Sequence, residues 1–163
     1  MSVIMLSELQ QKDVWEGWLS AETRANYFAE LGTSYAQFQT GLTWITLVAS
    51  SGAAATVVGG LGPTWAKSVL TIATAGASLW SLVKQYAKRY ADCSDLHFKW
   101  NRLASEYKAL WENMYSEDAA QRLRQLEERA AELSKSGMAF PYKKRAMLKW
   151  ENHVLSHHGL QAA

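Results

Sequence analysis

The chain has 163 residues, enough for one domain of ordinary size, and its formal net charge is only +2. About half of the residues are apolar and a fifth are charged, which excludes an intrinsically disordered chain. A single cysteine excludes an internal disulfide framework, and the small positive charge does not by itself indicate a nucleic-acid-binding protein. Helix-forming residues fill the segments between a few breakers, so we predict an all-α fold.

The first 40 residues predict short helices that precede a long apolar part of the chain. Ser20 is a typical N-cap, Gly17 loosens the short helix before it, and Gly32 and Gly41 interrupt the helical pattern after it. No basic segment of the kind that opens a signal peptide is present, so we expect residues 1–40 to form cytoplasmic N-terminal helices.

Two runs almost without charge occupy the middle of the chain. Residues 41–61 carry no charge and, as a helix, would span about 31 Å, close to the thickness of the hydrocarbon layer of a bilayer. Residues 64–83 carry only Lys67, and the glycine-rich turn at residues 59–63 separates the runs. We predict a two-helix transmembrane hairpin over residues 41–83. Because both runs are rich in Gly, Ala, Ser and Thr, a hairpin buried in a soluble bundle is the alternative.

Basic residues after the second run predict the orientation of this hairpin. Lys84, Lys88 and Arg89 follow it closely, and the positive-inside rule then places both termini in the cytoplasm, with the hairpin in the cell membrane. No breaker occurs before Gly137, so the second membrane helix is expected to continue straight into a cytoplasmic helical domain, residues 84–163.

One face of the second run is polar at helical spacing, and small residues form rows on the first run. If several copies form a ring, the polar face predicts the lining of a pore, whereas in a closed bundle it predicts hydrogen bonds between helices. The small residues predict close helix packing or oligomer contacts. The pore-lining candidates are Thr71, Thr74, Ser78, Ser81 and Gln85, and the packing candidates are Gly52, Gly59 and Gly60.

An apolar seam with heptad spacing runs from residue 86 to residue 114 and includes Trp100, Tyr107 and Trp111. It predicts packing against another helix, for which Leu123 and Val154 lie in two candidate partners. So many aromatic side chains can also build a ligand pocket or a subunit interface.

Basic and aromatic residues alternate near the C-terminus, which is typical of phosphate or anionic headgroup binding. The candidates for ligand or phosphate binding are Lys143, Lys144, Arg145, Lys149, Lys88 and Arg89. The pairs Cys93/His97 and His153/His157 have the spacing of zinc ligands on helices, but their order in the chain is not that of a known zinc motif, so we predict neither a metal nor a cofactor. We find no catalytic motif and predict that the chain is not an enzyme.

Three stretches of the sequence resemble the SLATT-like family of two-transmembrane effectors in bacterial nucleotide-signalling systems of anti-phage defence. They are "RANYFAELGTSYAQFQ" before the hairpin, "GGLGP" at its turn, and "HFKWNRLASEYKALWENMY" after it. The resemblance implies a membrane-disrupting pore controlled by a nucleotide or short oligonucleotide, which a partner nucleotidyltransferase would make.

Together these observations predict an oligomeric membrane channel that acts as a nucleotide-regulated effector in anti-phage defence. Two alternatives remain open. One is a holin-like lysis pore, and the other is a soluble helical interaction module with the hairpin buried.

Overall fold

The computed structural model describes residues 6–58 and 64–160, and the regular structure within these ranges is entirely helical. The predicted all-α fold is therefore confirmed at the level of fold class. The described helices are α1 (Glu8–Val58), α2 (Thr64–Lys84), α3 (Tyr86–Glu112), α4 (Ala119–Gly137) and α5 (Lys144–His157).

The N-terminal half of the fold differs from the prediction of several short helices. Helix α1 is continuous over 51 residues, and Gly17, Gly32 and Gly41 all lie within it. A glycine costs only about 1 kcal/mol in a helix interior, so three separated glycines do not end a helix whose neighbouring turns remain hydrogen-bonded. The prediction that glycines divide this segment was wrong.

The predicted membrane location is also wrong. Over the part of the chain that the structure describes, no helix combines the length and the apolar character that crossing a membrane requires. The physical reason is composition, because α2 contains only one Ile and three Leu among 21 residues and is otherwise rich in Ala, Ser and Thr. Multi-pass insertion into the bacterial inner membrane, with both termini cytoplasmic, is therefore not supported by these helices.

The second helix of the hairpin does not continue straight onward. Gln85 adopts φ = 47° between α2 and α3, in the left-handed region that side chains other than glycine rarely occupy. Helical hydrogen bonding resumes when the Arg89 amide donates to the Gln85 carbonyl at 3.0 Å. No breaker marks this position in the sequence, which explains why an uninterrupted helix was predicted.

The described residues divide into two compact units. Unit 1 comprises residues 6–30 and 93–160, and helices from all its parts contribute to one core. Unit 2 comprises residues 31–58 and 64–92. The core of unit 1 buries Val14, Ala21, Ala25 and Phe28 of α1, Cys93, Leu96, Trp100, Leu103, Tyr107 and Leu110 of α3, Leu123 and Leu126 of α4, and Val154 of α5.

Unit 2 is an antiparallel helical hairpin. Only five residues separate α1 from α2, and the aromatic ring of Tyr86, just after α2, stacks on that of Phe38 with ring centroids 5.9 Å apart. Tyr35 lies 6.2 Å from the same ring. Aromatic contacts therefore join the two segments of chain at the open end of the hairpin, opposite its turn.

Candidate interaction surface and ligand cavity

Large apolar side chains lie on the outside of unit 2. Each of them is more than half exposed, and they come from both helices of the hairpin. Large apolar side chains exposed in such number on one unit often mark a binding surface. We define this apolar surface as Phe38, Trp44, Ile45, Leu47 and Val48 of α1 together with Trp65, Val69, Ile72, Leu79 and Trp80 of α2.

Small and polar side chains occupy the less exposed positions of the same hairpin. On α1, Ala49 is buried and Thr46 and Gly52 are half-buried. On α2, Thr74 and Ser78 are half-buried. Where side chains are described, the hairpin therefore exposes many large apolar side chains while some of its less exposed positions carry small or polar residues, which is unfavourable for an isolated pair of helices in water.

This arrangement also locates the predicted pore-lining residues. Thr71 is exposed, whereas Thr74 and Ser78 are half-buried, and Gln85 lies in the turn after α2 rather than on its face. The Ser81 side chain and the turn glycines Gly59 and Gly60 lie outside what the structure describes. The pore itself stays a prediction.

From Cys93 onward the apolar seam of α3 lies in unit 1, whereas its first members, Tyr86 and Tyr90, belong to unit 2, and Tyr90 is exposed. Trp100 and Tyr107 are buried, with 2% and 3% of their surfaces exposed, and Trp111 is half-buried. The ring of Trp111 lies 5.2 Å from that of Trp15 on α1. These side chains pack within their own chain.

The basic cluster near the C-terminus is partly engaged by a carboxylate. Lys149 Nζ and Trp150 Nε1 both donate to Glu30 Oε2, at 2.8 Å and 2.6 Å. The hydrogen bond from Lys149 is the main reason that the pKa of the Glu30 carboxyl lies below its usual value, with smaller contributions from Trp150 and from the charge of Lys143. Lys149 is therefore occupied in an ion pair.

The other predicted ligand-binding residues are distributed over both units. Lys144 and Arg145 are exposed at the start of α5, and the side chain of Lys143 is exposed as well. In unit 2, Lys88 is exposed, and the Arg89 guanidinium lies 6.0 Å from the centre of the Tyr35 ring.

The two residue pairs that have zinc-ligand spacing, Cys93/His97 and His153/His157, do not come together as one group in the part of the chain that the structure describes. His97 Nδ1 lies 2.8 Å from the Ala25 carbonyl oxygen, within the core of unit 1. Among the described residues, no group of three or more side chains is placed to hold a metal ion.

A cavity of about 370 Å³ opens in unit 1 between α1, α3, α4 and the segment that precedes α5. Its walls are mostly aromatic or apolar, and among the described residues that line it Arg24 alone is charged. The lining comprises Arg24, Tyr27, Phe28, Trp100, Leu133, Ser134, Gly137, Met138, Phe140, Pro141, Tyr142 and Met147.

The wall beside α5 is held in place by Tyr27. Its hydroxyl donates to the Pro141 carbonyl at 2.7 Å and accepts a hydrogen bond from the Lys143 amide at 3.1 Å. The loop that carries Phe140 and Tyr142 is therefore fixed against α1, which gives the cavity a defined shape.

The sequence analysis did not identify Arg24 as a functional residue. A signal was available, because Arg24 lies among Ala21, Ala25 and Phe28, which form the buried stripe of α1 at helical spacing. Charged residues are rare on a buried stripe unless they have a partner, so a charged residue there is a candidate functional residue.

No protein-family model, curated protein or solved structure matches this chain. The resemblance to SLATT-like effectors, and with it the nucleotide ligand and the partner nucleotidyltransferase, therefore stays a prediction.

Proposed function

We propose that the chain is a self-associating helical interaction module, in which the apolar surface of unit 2 packs against the same surface of a second copy. The observation that supports this function is the exposure of large apolar side chains on both helices of the hairpin. Trp44 and Ile72 are 62% and 72% exposed, whereas Ala49 is 8% exposed.

The extent of the apolar surface fits a stable interface. Ten large side chains, each more than half exposed, present on the order of 1,000 Å² per copy, given that a single aromatic side chain buries 150–250 Å². A standard interface buries about 800 Å² on each partner. Packing two such surfaces together would therefore bury enough apolar area to hold two copies together.

The charge distribution favours a second copy over a different, charged partner. Residues 31–83 carry Lys67 as their only charged side chain, so the sequence of this part offers little electrostatic complementarity to another protein. A twofold-symmetric dimer buries the same patch on both subunits at once, and homodimer interfaces are more apolar than transient ones.

The channel and the holin-like pore both require helices that span a membrane, so neither is part of this proposal. Self-association through unit 2 would bring several copies of unit 1 into one particle, since the two units share a chain. Unit 1 would then act as the part that recognises other molecules.

Protection of single cysteines tests the proposed interface. Val48→Cys and Ile72→Cys place a thiol on the apolar surface, and Met138→Cys is a matched control at an 81% exposed site of unit 1. The native Cys93 is buried and should react slowly in all three variants. The measurement is the rate of maleimide modification at increasing protein concentration.

We expect modification at residues 48 and 72 to slow at least fivefold as the concentration rises, while residue 138 keeps its rate. Equal rates at all concentrations would show that the apolar surface stays uncovered. Equal slowing at all three sites would indicate non-specific aggregation and would also contradict the proposal.

A further inference from the structure

We infer that the cavity of unit 1 is a binding site for a flat aromatic monoanion, whose negative group pairs with Arg24 and whose ring lies among the aromatic walls. This inference concerns unit 1 alone and is independent of self-association through unit 2.

The first argument is the state of the Arg24 side chain. Its guanidinium lies over the Trp100 ring, 4.8 Å from the ring centre, and donates to the hydroxyl of Ser134. Among the described residues, no carboxylate lies within ion-pair distance of Arg24. A partly buried guanidinium without a counter-ion is costly, and an anionic ligand would remove that cost.

The second argument is an unused donor in the same wall. Trp100 is 2% exposed, and its indole Nε1 has no hydrogen-bond partner among the described residues. Buried indole N–H groups usually have a partner. Trp100 also lines the cavity, so a flat ligand bound beside Arg24 would lie close to this indole ring.

The third argument is the shape and composition of the cavity. Its volume lies in the range of small-molecule sites, and the rings of Tyr27, Phe28, Phe140 and Tyr142 line it. Aromatic rings favour stacked or edge-to-face contact with another flat ring. The ligand class is therefore aromatic rather than a simple inorganic anion.

The neighbouring cavity limits the charge of the ligand. That cavity, of about 410 Å³, shares Arg24, Tyr142 and Met147 with the first and is also lined by Glu16 and Glu151. Two carboxylates beside the single arginine disfavour an anion with several charges. A carboxylate or sulfonate on one or two fused rings fits this balance.

Binding of 2-naphthoate and of its neutral isostere 2-naphthamide to the full chain tests the inference. We expect calorimetric titration to show naphthoate binding at least tenfold more tightly than naphthamide. Arg24→Gln should abolish this preference, whereas Arg124→Gln, an exposed arginine of α4 that donates to the Ala120 carbonyl of its own helix, should retain it. Equal affinity of the wild-type chain for both compounds, or no binding at millimolar concentration, would overturn the inference.

A second measurement follows ligand binding in the wild-type chain. The indole N–H resonance of Trp100 in the wild-type chain, identified as the one that Trp100→Phe lacks, should shift on titration with naphthoate. If only the resonances of exposed tryptophans such as Trp44 shift, the compound binds the apolar surface of unit 2 instead and the inference is wrong.

Discussion

Gly17 lies directly against the ring of Tyr107, and a β-carbon at Gly17 would come within 2.6 Å of Tyr107 Cε1. Tyr107 is buried, so its ring has little room to move away. This contact lets α1 and α3 approach closely in unit 1, and it explains why a glycine occurs in the middle of a long helix.

Replacement of Gly17 by alanine should therefore destabilise unit 1. Overpacking against a buried ring usually costs about 1–3 kcal/mol, more than the roughly 1 kcal/mol that alanine gains in helix propensity. Gly41→Ala is the matched control, because nothing lies within 4 Å of a β-carbon at that position of the same helix. Urea denaturation followed by circular dichroism should show a lower free energy of unfolding for Gly17→Ala and an unchanged or higher one for Gly41→Ala. The opposite order would contradict the proposed close approach.

The Tyr107 hydroxyl should titrate abnormally. Burial raises its pKa to about 12, with smaller contributions from the negative charges of Glu127 and Asp13. Because the folded-state pKa lies above the unfolded value of about 10, the stabilisation is present below pH 10 and is lost as the pH rises through 12. Absorbance at 295 nm should show one tyrosine that titrates near pH 12, and Tyr107→Phe should lack it. A Tyr107→Phe chain that keeps this late step would assign it to another residue.

Glu30 should contribute to the loss of stability in acid. Its hydrogen bond from Lys149 lowers its pKa, so its stabilisation is present above the ordinary glutamate value of about 4.3 and is lost as the pH falls through the lower folded-state value. Glu30→Gln should reduce the dependence of the unfolding free energy on pH between about 5 and 3. Glu128→Gln, at an exposed position inside α4 rather than at a helix end, is the control and should change the dependence less than Glu30→Gln does. Identical pH profiles for all three chains would exclude the role of Glu30.

Glycine in place of Gln85 should stabilise the turn between α2 and α3. A left-handed backbone costs a residue with a side chain roughly 1–2 kcal/mol, and glycine avoids this cost. Gln85→Gly is therefore expected to raise the thermal midpoint of unfolding, whereas Gln85→Val should lower it, since a β-branched residue tolerates this conformation least. A higher midpoint for Gln85→Val would indicate a continuous helix through this position.

Charge on the apolar surface of unit 2 should weaken self-association. Val48→Glu and Ile72→Glu each place a carboxylate where a second copy is proposed to pack, and desolvating an unpaired carboxylate is unfavourable by several kcal/mol. Leu9→Glu is a matched control at a 75% exposed apolar site of unit 1. Sedimentation velocity should show the association constant at least tenfold lower for the two surface variants and unchanged for Leu9→Glu. Equal association of all variants would exclude this surface as the interface.

The sequence predicted those parts of the fold that depend on strong local patterns. The heptad spacing of α3 placed Trp100 and Tyr107 in one seam, and both are buried together with Leu123 and Val154 from the predicted partner helices. The sequence analysis named Gly137 as the next helix breaker after the apolar runs, and α4 ends there. Apolar spacing and a terminal glycine each indicate local structure without knowledge of the rest of the chain.

The parts that were missed depend on distant contacts. In the sequence alone Gly17 suggests a weakened helix. In the structure it makes room for the ring of Tyr107, which is 90 positions away in the sequence. Glutamine does not favour a positive φ, so the residue type at position 85 gave no sign of the turn there. Arg24 becomes a candidate ligand-binding residue only because folding places Trp100 and Ser134 against it.

Sedimentation equilibrium of the unmodified chain, without detergent, tests the central claim most directly. A single chain has a mass of 18.3 kDa. We predict that the weight-average mass rises with concentration over the micromolar range to at least twice this value and then reaches a plateau. A mass of 18.3 kDa at every concentration would contradict the proposal that unit 2 joins copies of this chain.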